Sequence, residues 1–397
     1  MQGLTATETQ RDGALPDSNP GGTPPRIVML APLPPPITGA AGNNKRIADT
    51  LVASGARVIP VNTAAPGLSR SAGLRYHATR IARNIAATRA LRSARDRESI
   101  LYVQPDAGLG AWYTLAQIRL AGLSYRKFVF HHRSFAYVSK TLAPMRSIVA
   151  LTRSRALHVF LSEQMARQFA ERYGAVESAV ITNACFVSRE AFDERHATAI
   201  PAERDVITIG HLSNLRRNKG FFACADVFER LCESGYPARF FVAGPITEPE
   251  VAPRLAALVE RWGDRVRHFG PVGGEEKAAF YRALDVFLFP TTHPQEAQPN
   301  VIYEALAAGV PVLATPRAAI PEMLGGANGA CSPTEESFTD FAIEAIRAMA
   351  FTPDAIAERR RAIIARVRAD AVRSQHGFLA LMEQLGIPRA EVVPPWT

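Results

Sequence analysis

Two glutamates, Glu296 and Glu304, lie on either side of a predicted helix start and could together bind a polar ligand. The run VFLF at 286–289 is typical of a buried strand, and VPVLA at 310–314 predicts a second one. Pro299 suits the first position of a helix, because the amide hydrogen that proline lacks would be unbonded there. The two carboxylates therefore lie at the carboxyl end of a strand, where open α/β sheets bind ligands.

The spacing of the two glutamates indicates that they do not both lie on the helix. Eight helical positions rotate a side chain by about 80° and raise it by ~12 Å, so two helical residues would face different directions. We expect Glu296 to lie in the loop before the helix, from which its carboxylate can converge with that of Glu304.

Lys219 is placed to bind an anion. It lies in a basic loop between a predicted strand at 205–212 and a predicted helix at 221–235, and helix N-termini attract anions. A lysine at ~4 Å contributes up to about 4 kcal/mol at an effective dielectric near 20. The helix end adds only about 0.3–1 kcal/mol, so we expect the lysine to dominate.

Two pairs of residues in the first half also follow strand ends. His131 and His132 close a predicted strand at 127–132, at the edge where ligands bind. Paired histidines there suit either a functional or a structural role. Gly39 and Gly42 follow the first predicted strand, and they indicate either simple turn chemistry or a loop kept small for a ligand.

Both halves of the chain repeat one order of elements: strand, polar loop, helix, Ser-Gly and strand. This order predicts the α/β class, with two Rossmann-like doubly wound domains that face each other across a cleft. The predicted parts are a disordered tail at 1–25, a first domain at 26–190, a linker at 191–204, a second domain at 205–375, and a helix end and tail at 376–397.

Composition is that of a soluble globular protein. Of the 397 residues, 47% are hydrophobic and 21% are charged. No apolar run approaches the about 18 residues that a membrane-spanning helix needs, and the polar N-terminus lacks the apolar segment of a signal peptide. The four cysteines are scattered without C-x-x-C spacing, which favours a reducing, cytoplasmic location.

Positive charge is concentrated in the first half of the chain. The net charge is +9, and residues 66–156 carry 16 Lys and Arg against three acids. Such a segment forms a solvated basic face, or it attracts an anionic membrane surface or a phosphate-bearing acceptor. Nucleic acid is not an expected partner, because few aromatics lie among these arginines and no recognised binding motif appears.

The segment 294–315 resembles the E-x7-E signature of the GT4 family of retaining glycosyltransferases, which have the GT-B fold. Further marks follow in the order of that family over roughly 26–350. They are Gly39 and Gly42, Ser162, Asn183, the N-K-G at 218–220, the V-A-G at 242–244, and Phe269 with Gly270.

The resemblance implies a nucleotide-sugar donor as substrate. It implies that Glu304 accepts hydrogen bonds from the ribose and that Glu296 contacts the donor sugar. A histidine is expected near the reacting sugar, so the catalytic candidates are Glu296, His131 and His132, with His132 favoured as the loop residue. The expected donor-binding residues are Gly39, Asn214, Arg216, Lys219, Gly244, Gln298, Pro299, Asn300, Val301 and Glu304.

The chain departs from the family pattern in two loops. Ser213 and Asn214 replace an expected Gly-Arg, so we expect Arg216 or Arg217 to supply the missing charge on the diphosphate. At 317–319, Arg-Ala-Ala replaces glycines. No D-x-D pair occurs, and we therefore expect neither a metal nor another cofactor.

The resulting hypothesis is a retaining glycosyltransferase with a lipid-linked or saccharide acceptor, in surface polysaccharide or glycolipid assembly. Because no carboxylate stands out as a nucleophile, we expect front-face attack on the donor sugar. The expected location is cytoplasmic, at the periphery of the inner membrane leaflet. Alternatives are a nucleotide-sugar epimerase and a non-catalytic module that binds a nucleotide or a carbohydrate.

Overall fold

A computed structural model describes residues 24–35, 38–64, 73–187, 189–192 and 206–387. Nearly all of the predicted N-terminal tail, most of the predicted linker and the segment 388–397 lie outside these ranges. Within them, no helix combines the length and the hydrophobicity required to span a membrane.

The first domain is a parallel sheet of six described strands in the order β2-β1-β3-β4-β5-β6. The strands are β1 (Arg26–Ala31), β2 (Arg57–Asn62), β3 (Ile100–Val103), β4 (Lys127–His131), β5 (Ala156–Phe160) and β6 (Ser178–Val180). The helices are α1 (Gly39–Ala53), α2 (Gly73–Ala94), α3 (Ala111–Leu120), α4 (Ala136–Ser139), α5 (Ala143–Thr152) and α6 (Glu163–Tyr173).

The second domain repeats this plan, with its six described strands in the order β12-β11-β10-β7-β8-β9, all parallel. The strands are β7 (Ile207–Leu212), β8 (Ala238–Ala243), β9 (Val266–His268), β10 (Val286–Phe289), β11 (Val312–Ala314) and β12 (Gly329–Cys331). The helices are α7 (Phe221–Glu233), α8 (Val251–Trp262), α9 (Gly274–Arg282), α10 (Asn300–Ala307), α11 (Ile320–Met323), α12 (Phe338–Ala348) and α13 (Pro353–Gln384).

Each sheet is covered by helices on both faces because its strands are apolar on both sides. In β1, Val28 and Leu30 belong to a core that includes residues of α2 and α3. The alternate residues Ile27 and Met29 belong to a second core, with residues of α1 and α13. This burial on both faces is why the strands read as continuous apolar runs. The prediction of two doubly wound α/β domains is confirmed.

The long helix α13 joins the two domains. Ile363 and Val367 in its first half pack in the core of the second domain. Phe378 and Met382 in its last two turns pack against the first sheet. The helix therefore passes from the core of the second domain to that of the first between these two groups of residues.

Two elements differ from the sequence prediction. The residues after the loop of Gly39 and Gly42 predict a helix that starts at Asn43 or Asn44. In the structure α1 begins earlier, at Gly39, because Thr38 Oγ1 accepts the amide of Ala41 at 3.1 Å. The short strand β12 was missed, because three small, half-buried residues give no periodic signal.

Candidate functional site

The strand order of each sheet places a crevice between two of its loops. In the second sheet β7 and β10 are neighbours, although β8 and β9 lie between them in the chain. The loops after β7 and β10 therefore diverge, and ligands bind at such a switch point. Lys219 follows β7 and Glu296 follows β10, so the topology brings these two residues together. In the first sheet the switch point lies between β1 and β3.

A cleft of about 700 Å³ lies between the two domains and opens onto both switch points. Its walls combine loops after β1, β3 and β4 with loops after β7, β8 and β10. It contains most of the predicted binding residues, namely Gly39, Asn214, Arg216, Lys219, Gly244, Glu296, Gln298, Pro299, Asn300 and Val301.

Lys219 and Glu296 form an ion pair across the second switch point, Nζ to Oε2. Their side chains are only 16% and 12% exposed, so the pair is largely shielded from water. The backbone brings them together at Gly220, whose φ is +91°; a Cβ there would lie 2.5 Å from the Pro290 carbonyl oxygen. The lysine and the glutamate are thus held in place by each other before any ligand binds.

The two arginines of this loop point to different places. Arg216 lines the cleft, and its Nε is buried without a hydrogen-bond partner among the described residues. Arg217 is exposed and lies over the Phe222 ring, 4.3 Å from its centroid. Of the two candidates, Arg216 is the one that can add charge to the cleft.

The loop before α10 is tied to the first domain by side-chain amides. Gln298 Oε1 accepts the backbone amide of Asn183 at 2.5 Å, and Gln298 Nε2 donates to the Leu161 carbonyl at 2.8 Å. Asn43 Nδ2 donates to Asn300 Oδ1 at 3.1 Å. Both side-chain amide atoms of Gln298 are therefore engaged with the first domain. The bonds fix the N-terminus of α10 at the cleft wall.

Glu304 lies outside the cleft. Its carboxylate accepts hydrogen bonds from Lys277 Nζ at 2.7 Å and from the Tyr281 hydroxyl at 3.2 Å, both on α9. It lines a neighbouring cavity of about 330 Å³, and Asn183 and Asn300 line both spaces. The expectation that Glu296 and Glu304 converge is therefore wrong for this structure, because α9 draws the Glu304 carboxylate away.

Neither predicted histidine reaches the cleft. His131 is buried, with Nδ1 hydrogen-bonded to the Tyr102 hydroxyl. His132 is fully buried and stacks on His158, with its Nε2 at 2.8 Å from His158 Nδ1. Burial lowers the pKa of both residues well below the usual value, so both imidazoles are neutral. This geometry agrees with a structural role for both histidines. It does not agree with the expectation that His132 faces the reacting sugar.

Two charged residues of the first domain line the cleft but were not predicted as site residues from the sequence. Arg133 lines the cleft directly after the histidines, and its Nη1 donates to Asn183 Oδ1 at 2.8 Å. Asp106 follows β3 and pairs with Arg80 at 3.3 Å; burial raises the pKa of its carboxyl, and Arg80 opposes that shift. The sequence signal for both residues is their position just after strand ends, the same signal that pointed to His131 and His132.

The described residues include no group of three or more His, Cys, Asp or Glu side chains arranged to hold a metal ion. The charged groups that line the cleft are the cations Arg133, Arg216 and Lys219 and the acids Asp106 and Glu296.

Comparison with known proteins places the fold. Residues 203–350 match the family described as glycosyl transferases group 1. No curated protein matches the chain. A glycosyltransferase structure from Rickettsia africae is similar, with a TM-score of 0.68 and 15% identity over 92% of this chain and 99% of that one. This is the GT-B fold.

Two other structures show the same GT-B architecture. Anabaena HepE in complex with UDP has a TM-score of 0.61 and 17% identity, over 91% of this chain and 100% of that chain. Sucrose-phosphate synthase from Thermosynechococcus elongatus has a TM-score of 0.64 and 16% identity, over 91% and 100%. The family match covers the domain that carries Lys219 and Glu296, whereas the first domain resembles known proteins in fold alone.

Proposed function

We propose that this protein is a retaining glycosyltransferase that moves a sugar from a nucleotide-sugar donor to a lipid-linked or saccharide acceptor. The family match at 203–350 and the GT-B fold support sugar transfer. Solved structures of similar fold include Anabaena HepE bound to UDP and to UDP-glucose. They also include a sucrose-phosphate synthase and a UDP-forming trehalose-phosphate synthase.

One observation carries the proposal: Arg216, Lys219 and the N-terminus of α10 meet on one wall of the cleft. A nucleoside diphosphate leaving group develops negative charge, and two cations with oriented backbone amides stabilise it. Arg216 already presents an unbonded Nε. We propose that these groups stabilise the diphosphate without a metal ion or another cofactor.

The Lys219–Glu296 pair gives the glutamate a role in donor binding. When a diphosphate attracts the lysine, the Glu296 carboxylate is released to accept hydrogen bonds from hydroxyls of the donor sugar. The two carboxylates that line the cleft are both ion-paired, Glu296 with Lys219 and Asp106 with Arg80. With the donor bound, Asp106 stays paired with Arg80 and Glu296 accepts hydrogen bonds from sugar hydroxyls, so we propose front-face attack; detection of a covalent glycosyl-enzyme would refute it.

The nucleoside is proposed to extend from the cleft into the neighbouring cavity. Asn300 lines both spaces, and Glu304 lines the second. A ribose there would lie within reach of the Glu304 carboxylate, which Lys277 and Tyr281 hold in place. In this arrangement the two glutamates contact two different parts of one donor.

A thermal-shift screen against UDP, GDP, ADP and their sugar conjugates tests the proposal. A ligand at 100 times its Kd adds about 2.7 kcal/mol to stability, so a donor is readily detected. The expected result is stabilisation by one nucleotide class, with loss of transfer in Glu296→Gln and Glu304→Gln. No response to any nucleotide would contradict the proposal. Binding with no transfer would favour a non-catalytic module, and epimerisation without an acceptor would favour an epimerase.

We also propose that the first domain docks on an anionic membrane surface, which would suit a lipid-linked acceptor in surface polysaccharide or glycolipid assembly. Leu109 is 86% exposed and Trp112 53% exposed, close in sequence to the cleft residues Asp106 and Ala107. Helix α2, which packs on α3, carries two exposed isoleucines, and both helices carry exposed arginines: Ile81, Ile85, Arg89, Arg92 and Arg119. Exposed apolar side chains among arginines suit an interface with anionic lipid.

Liposome co-sedimentation tests the docking proposal. Binding is expected to rise with the fraction of anionic lipid and to fall with salt, because each basic residue near the surface contributes about 1 kcal/mol. The double variant Arg89→Gln, Arg92→Gln should bind more weakly, whereas Arg239→Gln, Arg265→Gln in the second domain should match the parent. Binding that ignores lipid charge and salt would contradict the proposal.

A further inference from the structure

Arg133 lies in the first-domain wall of the cleft, and its guanidinium has hydrogen-bond donors without an acceptor among the described residues. It follows β4 and lies next to Ser134, which also lines the cleft. Its guanidinium packs against the Phe186 ring, 5.3 Å from the centroid. The aromatic ring and the β4 end hold the side chain in one place, as a binding residue requires.

Only one of the three nitrogen atoms of this guanidinium has a hydrogen-bond acceptor among the described residues. Nη1 donates to Asn183 Oδ1 at 2.8 Å. Nε and Nη2 are buried and have no hydrogen-bond partner among the described residues. Buried donors are nearly always paired in native proteins, so two unpaired N–H groups on one fork indicate a missing acceptor.

The charge of Arg133 is also uncompensated within the described residues. The described carboxylates that line the cleft form ion pairs with other cations, Asp106 with Arg80 and Glu296 with Lys219. The Tyr102 hydroxyl interacts with Arg133 electrostatically, but burial raises the pKa of Tyr102 far above neutral pH, so this phenol carries no charge. A buried cation without an anion is costly, and a bound anion would remove that cost.

Arg133 is separate from the groups assigned to the donor. Arg216 and Lys219 belong to the second domain, whereas Arg133 belongs to the first and lies outside the matched segment 203–350. Arg133 therefore lines the same cleft as Arg216 and Lys219, but from the other domain.

We propose that Arg133 recognises an anionic group, a phosphate or a carboxylate, on the acceptor. The adjacent Nε and Nη2 form a fork that matches two oxygens of either group. The proposal rests on the proposed function, because it assumes that the donor occupies the opposite wall. Arg133 then selects charged acceptors over neutral ones and positions them for transfer.

The test measures anion binding by calorimetry while saturating UDP occupies the donor wall. The probes are inorganic phosphate, glucose 6-phosphate and neutral glucose. The two anions should bind the parent protein about tenfold or more tightly than they bind Arg133→Gln, since hydrogen bonds to a charged group have this magnitude. Affinity for UDP should stay within about twofold. Arg146→Gln, which removes an exposed cation of the same domain, should behave as the parent.

Each outcome decides the proposal. Arg133→Lys keeps the charge without the fork and should recover only part of the anion affinity, which guards against a folding defect in Arg133→Gln. Equal anion affinity in the parent and in both Arg133 variants overturns the proposal. Weaker UDP binding in the variants would also overturn it, because Arg133 would then serve the donor. If UDP and the other nucleotides fail to bind the parent at all, the proposed function itself fails.

Discussion

The cleft contains an ion pair between a lysine and a glutamate. Lys219 and Glu296 neutralise each other and are largely shielded from solvent, and Arg216 lines the same cleft with an unbonded Nε. An incoming diphosphate does not need to order a flexible lysine, because the glutamate already holds it. The cost is that the ligand must compete with a carboxylate for that lysine.

Replacing the lysine tests this arrangement. Lys219→Gln should weaken nucleotide binding by about tenfold or more, because it removes a charged hydrogen-bond donor worth ~1.5–3 kcal/mol. Arg217→Gln removes a charge only two residues away, but outside the cleft, and should change the affinity by less than about twofold. Equal effects of both variants in calorimetric titrations would show that net charge alone attracts the nucleotide.

Buried histidine makes stability depend on pH. His211 is fully buried, and burial lowers its pKa to about 4. The unfolded chain, with a histidine pKa near 6.5, binds a proton below that value while the folded protein does not. The stability that this group provides is present above about pH 6.5 and is lost as the pH falls towards about 4. The slope is at most about 1.4 kcal/mol per pH unit.

Urea unfolding of the parent and of His211→Gln between pH 7.5 and 4.5 measures this contribution. The variant should lose less stability on acidification than the parent, by ~1–3 kcal/mol over the range. Its stability at pH 7.5 will be lower as well, since His211 bonds the Leu288 carbonyl and the Ser213 hydroxyl. Parallel curves for the two proteins would rule out a titrating His211.

At this scale, sequence patterns pointed to loops that do line the cleft. Lys219 and Glu296 were expected in loops after strand ends, and the resemblance to the GT4 family added Asn300; all three line the cleft. The prediction failed at the end of β4. Three polar residues follow one another there, His131, His132 and Arg133, and the sequence does not show which of the three side chains points into the cleft. That direction depends on the residue at which the strand stops and on the aromatic core beside it, and neither can be read from a single strand.

The loops after β7 and β10 form a unit. The Thr292 amide donates to the Asn218 carbonyl at 3.0 Å, and the backbone at Gly220 passes close to Pro290. Because the cations come from one loop and Glu296 from the other, the spacing between the loops sets the geometry of the donor wall. The element pattern was well predicted here, but this close approach depends on contacts between segments about 70 residues apart in sequence.

A methyl group at Gly220 tests the close approach. Gly220→Ala combines a positive φ with a Cβ that meets the Pro290 carbonyl oxygen at 2.5 Å. Gly235→Ala has a similar φ of +78° but no atom within 4 Å, so it isolates the backbone strain of ~1–2 kcal/mol. We expect Gly220→Ala to cost at least about 1 kcal/mol more in the free energy of unfolding, and to weaken nucleotide binding. Equal losses of stability would mean that the two loops can separate freely.

At the scale of the molecule, α13 belongs to both domains. Its first half fills the core beside α10, and its end covers one face of the first sheet. From the sequence, residues 354–385 are predicted as an amphipathic terminal helix, but that pattern does not indicate which sheet the helix covers.

Phe378 measures how much the first domain depends on this helix. Phe378→Ala removes a side chain that is 2% exposed, and should lower the free energy of unfolding by about 3–5 kcal/mol. Val372→Ala, at an exposed site on the same helix, should change it by less than about 0.5 kcal/mol. Similar effects in chemical denaturation would show that the end of α13 is not part of the core.

The segment that follows β6 touches α13 near the place where this helix passes between the domains. Thr182 Oγ1 donates to Ser374 Oγ at 3.2 Å, and Ser374 Oγ donates to the Thr182 carbonyl at 3.1 Å. Because both bonds join the same two residues, this segment and this part of α13 act as one body. Any relative movement of the two domains then has to take place away from this contact.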